Sequence, residues 1–452
     1  MRCNRQVIFG FLCSSFWNRT VNLRVNSSMI RHLCISTALG LLVTLSWGQE
    51  SQPATVPARY SEAFEAIWND INQNFYDPSF LGVNWADTGA RYRAQLIHVR
   101  NDDKFTKLID QMLRELPTSH LHFRVSVAAK TMTPSTRIGV LTRKIGDENV
   151  VVSIDATSDA AVKGIHSGDV ILTANDVLRG PWGSPATVEV KHCNGQTEKL
   201  SITREPFGWP FERPSVQWKI IMRSTDTKIG YLRITHFEDD VAPLTDQAMQ
   251  EMANTNGIIL DLRNNTGGNA SYVRLMSYLA REPRMAFVLL SRPFLDRFGR
   301  APDKLDETLL AQIPKVTGAY TTETIINAFR KNGGGTAFYT EDVGKNVYKG
   351  KIVLLVNRET ASAAEGFVWD IKGWPGVTVI GQDTAGAIAG AEDFNIPGGW
   401  TLTLPTHASW GPDGKIYRDQ KTVPDIVIPE TRDALCRGDD PVMKAAIGVL
   451  LK

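Results

Sequence analysis

Two apolar runs, each closed by a turn of small and polar residues, constrain this chain more than any other feature. The first is GIILDLRNNTGGNA, residues 257–270, and the second is KIVLLVNRETASAAEGFVWDIKGW, residues 351–374. Runs of Ile, Val and Leu without polar alternation belong to strands buried on both faces. KIGYLRI, AFVLLS and VTVIG are further strands of this kind, with helices expected at 240–254, 269–281 and 360–373. From about residue 208 to 452 the chain therefore reads as an α/β domain. Residues 300–350 carry Asn332-Gly333-Gly334-Gly335 and read as a long excursion over the surface, as a lid, a ligand pocket or an oligomer contact.

Upstream, the pattern changes twice. In YSEAFEAIWNDINQNFY, Phe64, Ile67, Trp68, Ile71 and Phe75 recur at three- and four-residue steps, which predicts an amphipathic helix. A second helix fits 84–98, and a third opens after Asn101-Asp102-Asp103 and stops at Pro117. These make a helical unit over about 55–130 that ends its helices at Thr118-Ser119-His120. Residues 131–207 then give short β-rich runs: IGVLT, NVVVSID, DVILTAND, and a hairpin of VEVKHC and TEKLSITRE around Asn194-Gly195. This region resembles a PDZ domain, on Gly164, Ile165, Gly168, Asp169, Ile171 and Leu172.

A chain of 452 residues exceeds one ordinary core, in keeping with this division into several domains. Its net charge of +2, without a basic cluster, excludes a nucleic-acid partner from the expected functions.

The N-terminus reads as an export signal. Arg31 supplies the basic start, Leu33 to Leu45 is an apolar stretch short for a bilayer span, and Ser46-Trp47-Gly48 offers small residues for cleavage. A signal peptide from Met29 to Gly48, behind an upstream extension, implies a periplasmic or extracellular protein; an uncleaved anchor is the alternative. Residues 49–57 are a polar tether. Only Cys193 and Cys436 would then remain, and they read as two unrelated buried thiols, although export would permit a disulfide.

Chemistry concentrates in the two opening motifs. The Gly267-Gly268 turn opens a helix, where backbone N–H groups can hold an anion or an oxyanion; a structural turn explains it equally well. A phosphate loop would need a following Gly-Lys-Ser/Thr, which is missing. Ser362 sits where a strand turns into a helix, flanked by Ala361 and Ala363, which suits an acyl-transfer nucleophile. A helix N-cap uses the same residue type. An α/β-hydrolase esterase would carry Gly on both sides of the serine, but Thr360 and Ala364 stand there.

Taken together and in order, Asp261-Leu262-Arg263, Asn265, Gly267-Gly268, Ser362, Ala363, Glu365, Gly381, Thr384 and Gly386 resemble the core of the C-terminal-processing (tail-specific) serine peptidases. Trp68, the FYDP at 75–78, Glu115-Leu116 with Ser119-His120, and Val423-Pro424-Asp425-Ile426 extend the resemblance over residues 59–430. It implies an α+β multidomain protein: an N-terminal helical bundle, a PDZ-like domain, and a crotonase-like α/β spiral core. It also implies a serine endopeptidase acting on unfolded or C-terminal peptide substrates, without cofactor or metal, and leaves a homo-oligomer open.

By the resemblance, Ser362 is the nucleophile, and the N–H groups of Gly268 and Ala363 form the oxyanion hole. Many relatives place a lysine base directly after Thr-x-Gly, but that position is Ala387. Lys372 lies roughly three turns along the helix and is expected to face solvent. The tricorn-like branch instead takes a histidine base from its "SH" element, which implies His120. His122 is the rival, and would share a face with His120 in an extended segment. Ser119 and an acid would orient the imidazole; the acid's position is Arg418, so the neighbouring Asp419 would serve, with Asp425 as a further candidate. His236 and His407 read as groove or surface residues. The missing lysine also keeps open a non-catalytic ligand- or peptide-binding protein, as in the interphotoreceptor retinoid-binding proteins.

Overall fold

The computed structural model describes residues 56–125, 138–181, 183–204, 214–224 and 226–452. The expected signal peptide and Cys3, Cys13 and Cys34 lie outside the described residues.

The three N-terminal helices form where the periodicity and caps place them. Ala58–Asn74 buries Phe64, Ile67 and Ile71. Asn84 caps Trp85–Gln95, and Asn101 caps Asp102–Leu113 by accepting the Lys104 N–H at 2.9 Å. They do not close a core of their own. Phe64, Phe105 and Met112 pack in one cluster with Leu290, Trp400 and Trp410, which belong to a six-stranded sheet.

That sheet runs in the order His122–Val125, Trp400–Trp410, Met285–Ser291, Gly335–Tyr339, Lys315–Val316, with Gly390–Ile396 also paired to Trp400–Trp410. AFVLLS therefore lies in a largely antiparallel sheet, not in the parallel one. Its apolar run has another cause: both faces are covered. Ala286, Phe287 and Leu289 enter the main core, while Val288 and Leu290 enter the helical one.

The parallel sheet orders Ile426–Val427, Val377–Gly381, Lys351–Val356, Gly257–Asp261 and Lys228–Ile234, and Val216–Met222 closes it antiparallel. Two of its neighbouring strands, Gly257–Asp261 and Lys351–Val356, lead into the two motif turns. The turns are thus delivered side by side at one sheet end, where ligands of open α/β sheets characteristically bind.

Residues 300–350 are not a surface excursion. They supply the helix Thr322–Lys331 and the strand Gly335–Tyr339, which lies inside the largely antiparallel sheet with Thr336, Ala337 and Phe338 buried. The glycines read as a loop signal allow close packing instead. A Cβ at Gly334 would lie 2.1 Å from Ser291 Oγ, and one at Gly335 2.6 Å from Phe294 Cδ2.

A third, antiparallel sheet joins Val140–Ile145, Glu148–Ile154, Val170–Ile171, Pro185–Lys191 and Thr197–Thr203. DVILTAND contributes only its Val170–Ile171 step. This unit has its own core around Val151, Ile165, Val188 and Ile202. Two arginines and a disulfide help fasten it to the rest. Arg143 reaches Glu359 and Glu430, Arg432 donates to Gly168 O at 2.9 Å and His192 O at 3.1 Å, and Cys193 is bonded to Cys436. The two thiols read as unrelated are therefore one disulfide, formed across 243 residues and invisible to local pattern. Closing so long a loop removes much unfolded-chain entropy. Cys193→Ser is expected to lower stability by about 2–4 kcal/mol in denaturant titration, and a reducing agent should reproduce the loss in the parent chain only.

Among the described residues, no helix is long and apolar enough to cross a membrane.

Candidate active site

Ser362 occupies the junction between Lys351–Val356 and the helix Ala363–Ile371 with φ 53° and ψ −125°. A non-glycine residue there is held by its surroundings, and such strain gathers at functional sites. The surroundings are explicit. Ser362 N–H donates to Ala387 O at 2.7 Å, and Ala361 N–H to Asn265 O at 3.0 Å. The Ser362 side chain makes no cap hydrogen bond, so the helix-cap explanation of this serine does not hold.

The glycine turn is stitched to the serine turn. Asn357 Oδ1 accepts the Asn264 N–H at 2.9 Å, its Nδ2 donates back to Asn264 Oδ1 at 2.7 Å, and Thr360 Oγ1 donates to Leu262 O at 2.9 Å. Gly267 and Gly268 have φ of 107° and 129°. A Cβ on Gly267 would sit 2.6 Å from Ser362 Cβ, and one on Gly268 would sit 1.9 Å from Phe237 O. Only glycine fits either place. Among the described residues, the N–H groups of Gly268 and Ala363 donate to no protein acceptor. Beneath the turn, Asp261 is fully buried and held by Arg263 at 2.6 Å. Burial opposes its ionisation, but the Arg263 guanidinium overrides it and keeps the carboxyl below its usual range.

Ser119, His120 and Asp419 form a chain of hydrogen bonds. Ser119 Oγ donates to Asp419 Oδ1 at 2.7 Å, its N–H donates to Asp419 Oδ2, and Ser119 Oγ lies 2.8 Å from His120 Nδ1. A hydroxyl has one proton, and here it points to Asp419. Nδ1 must then carry its own proton toward Ser119, which leaves the lone pair on Nε2. Burial lowers the His120 pKa, partly offset by Asp419, so the imidazole is neutral near pH 7.

One segment connects this chain to the serine. Ala387 O takes the Ser362 N–H, Ile388 N–H donates to Asp419 Oδ1 at 3.1 Å, and Ala389 N–H donates to Ser119 Oγ at 3.4 Å. The segment is itself clamped by Glu365, which accepts from Thr384 Oγ1, from Gly386 N–H at 2.8 Å and from Ala387 N–H at 2.9 Å. Sequence reading named Glu365 only as part of a motif. Its place one turn into the Ser362 helix was the available signal that it faces the same side.

The rivals lie elsewhere. His120 has φ 58°, so the segment is not extended there and His122 starts the next strand, exposed, opposite Thr403. The two histidines do not share a face. Lys372 does not simply face solvent: it donates to Val423 O and lies 3.5 Å from Asp425. Asp425 in turn accepts the Val379 N–H at 2.9 Å, away from Ser119. His407 is buried and lines a small cavity with Ile388, Ala389 and Asp419, so it is a groove residue and not a surface one; burial pushes its imidazole down to about 4. Among the described residues no cluster of His, Cys, Asp and Glu could hold a metal ion.

A strained serine at a helix start beside a glycine turn, with a histidine paired through a hydroxyl to an acid, is the set of residues a serine peptidase would use. The comparisons with known proteins agree. Residues 228–428 match the model of peptidase family S41, and residues 57–114 match that of the tricorn protease C1 domain. On these matches the chain is a serine peptidase.

It is 23% identical to the carboxy-terminal-processing protease of Bartonella bacilliformis over 404 residues, covering 83% of this chain and 81% of that one. It is 26% identical to the chloroplastic carboxyl-terminal-processing peptidase 2 of Arabidopsis thaliana over 281 residues, covering 55% of this chain and only 53% of that relative. Among solved structures, the photosystem II D1 C-terminal processing protease superposes with a TM-score of 0.53 at 19% identity, over 84% of this chain and 97% of that one. Mature CPAF superposes with a TM-score of 0.60 at 14% identity, over 87% and 97%. These likenesses speak for the fold.

Proposed function

We propose that the protein is an exported endopeptidase of the C-terminal-processing type, working through an acyl-enzyme on Ser362 with His120 as general base. The observation that carries this is the continuous path Asp419–Ser119–His120, joined to Ser362 by residues 387–389. Ser362 Oγ attacks the scissile carbonyl carbon, and its proton passes to His120 Nε2. The carbonyl oxygen, now negative, takes the free N–H groups of Gly268 and Ala363. As the C–N bond breaks, Nε2 returns the proton to the leaving amine. Water then attacks the ester by the same steps and releases the new C-terminus. Ser119 carries the orienting interaction from Asp419 to the imidazolium, so a hydroxyl stands between base and acid.

The finer architecture belongs to the same proposal. The sheet of residues 140–203 would be the PDZ-like domain, able to take an extended peptide end as an added strand. The two larger sheets would be the crotonase-like spiral. Polypeptide, not nucleic acid, is the expected partner, and the disulfide suits export to an oxidising compartment. The missing lysine at Ala387 and the Arg418 at the acid's position are what favour a non-catalytic binding protein. Asp419, placed on Ser119 instead, supports catalysis.

A pH profile tests the assignment. Because the fold lowers the His120 pKa, the base stays unprotonated further into acid than a free histidine. Cleavage of an unfolded protein should therefore rise with pH through a limb whose midpoint lies below about 6.5, in kcat/KM. No cleavage at any pH, or a limb near a lysine pKa, would sink it.

A further inference from the structure

The strip that carries Asp419 begins with Tyr417, whose ring is buried under the Ser362 helix. The Tyr417 N–H donates to Ser409 O at 2.8 Å, and its phenol O–H donates to Asp370 Oδ1. Asp370 lies on the same helix as the nucleophile, Ala363–Ile371, and is 3% exposed. The ring is wedged closely. A Cβ on Gly411 would lie 2.8 Å from Tyr417 Cε1, one on Gly366 would be in van der Waals contact with Tyr417 Cε2 at 3.8 Å and Ile388 Cδ1 at 3.7 Å, and the Trp369 ring centre is 5.5 Å away.

Tyr417 thus fills the space between the nucleophile's helix, Ile388, and the strip two residues before Asp419. Ile388 is also the residue whose N–H holds Asp419. Asp370 is unusual among the buried acids. Asp261 has Arg263, and Glu365 has three donors, but Asp370 Oδ2 is buried with no hydrogen-bond partner. Among the described residues no cation is paired with it. A charge there would be bare, and burial pushes the carboxyl far above its usual range. Asp370 serves as acceptor for one phenol, and burial favours its neutral form.

We propose that the Tyr417–Asp370 hydrogen bond is a positioning device: it pins the strip 417–419 to the nucleophile's helix, so that Asp419 meets Ser119. Neither residue touches substrate. The device presupposes the roles given above to Ser362, His120 and Asp419. It explains why the helix carries an acid at a place where its charge is unusable.

The test uses the full chain, an unfolded protein substrate, and thermal melts to check folding. Tyr417→Phe is expected to lower kcat by about 10- to 100-fold with KM changed less than about twofold, as a small misplacement of catalytic groups does. Asp370→Asn keeps a neutral acceptor and should retain activity within about threefold, whereas Asp370→Leu should match Tyr417→Phe. Tyr417→Phe should add little to Asp419→Asn, because both act through one contact. Wild-type kcat in Tyr417→Phe, or a fully additive double variant, would overturn the device alone. Wild-type activity in Asp419→Asn would overturn the relay on which it depends. Should Tyr417→Phe fail to fold, equal kcat in Asp370→Asn and Asp370→Leu would overturn it, and loss in the leucine variant only would support it.

Discussion

Ser362→Ala should abolish peptide cleavage, lowering kcat by roughly 10⁴- to 10⁶-fold while leaving the fold intact. Both halves of that expectation matter. A capping serine would cost about 1 kcal/mol of stability when replaced. Ser362 makes no cap bond, and its N–H and C=O are already engaged by Ala387 and Gly366, so alanine removes only the reacting hydroxyl. An unchanged thermal melt beside a dead enzyme is the predicted pair. A melt that falls with activity largely kept would return Ser362 to a structural role.

His120→Ala should come second, with a loss of roughly 10³- to 10⁶-fold, because nucleophile and base act as one unit. His122→Ala is the matched control and should stay within about threefold of the parent. The contrast follows from position. His120 contacts Ser119, and through it Asp419, whereas His122 is an exposed edge-strand residue facing Thr403 across the sheet. If His122→Ala were the inactive variant, the base would have been misassigned. If both variants kept activity, another group near Ser362 would have to take the proton.

Local pattern carried much of the fold. Three helices lay where the spacing of Phe64, Ile67 and Ile71 and the caps Asn84 and Asn101 put them, because amphipathic period and capping are local physics. The two motif strands were legible for the same reason. Pairing was not. An apolar run such as AFVLLS is the same whether it is buried in a parallel sheet or between two cores, and only tertiary contact decides. Gly334 and Gly335 signalled a loop but serve close packing against Ser291 and Phe294.

At the site, residue types were readable and their partners were not. In the sequence Asp419 stands out only as the neighbour of Arg418, and its contact with Ser119 spans 300 residues. The positive φ at His120 turned His122 away, against the extended geometry assumed for that segment. His407 has no motif around it, and its burial against the site follows from the pairing of Trp400–Trp410. Tyr417 and Asp370 left no sequence signal, since a lone Tyr and a lone Asp are common anywhere.

The separation of 300 residues between Ser119 and Asp419 also bears on how the chain comes into being. Long-range contacts form late, after the cost of ordering the intervening chain has been met. While the polypeptide is still emerging, Ser119 and His120 exist without their acid, and the strained turn at Ser362 has not yet met its supports. A nascent or partly unfolded copy would therefore hold no working cutting edge. With the roles proposed for Ser119, His120 and Asp419, a peptidase made among other unfolded chains, its own siblings included, would stay harmless until it is nearly complete.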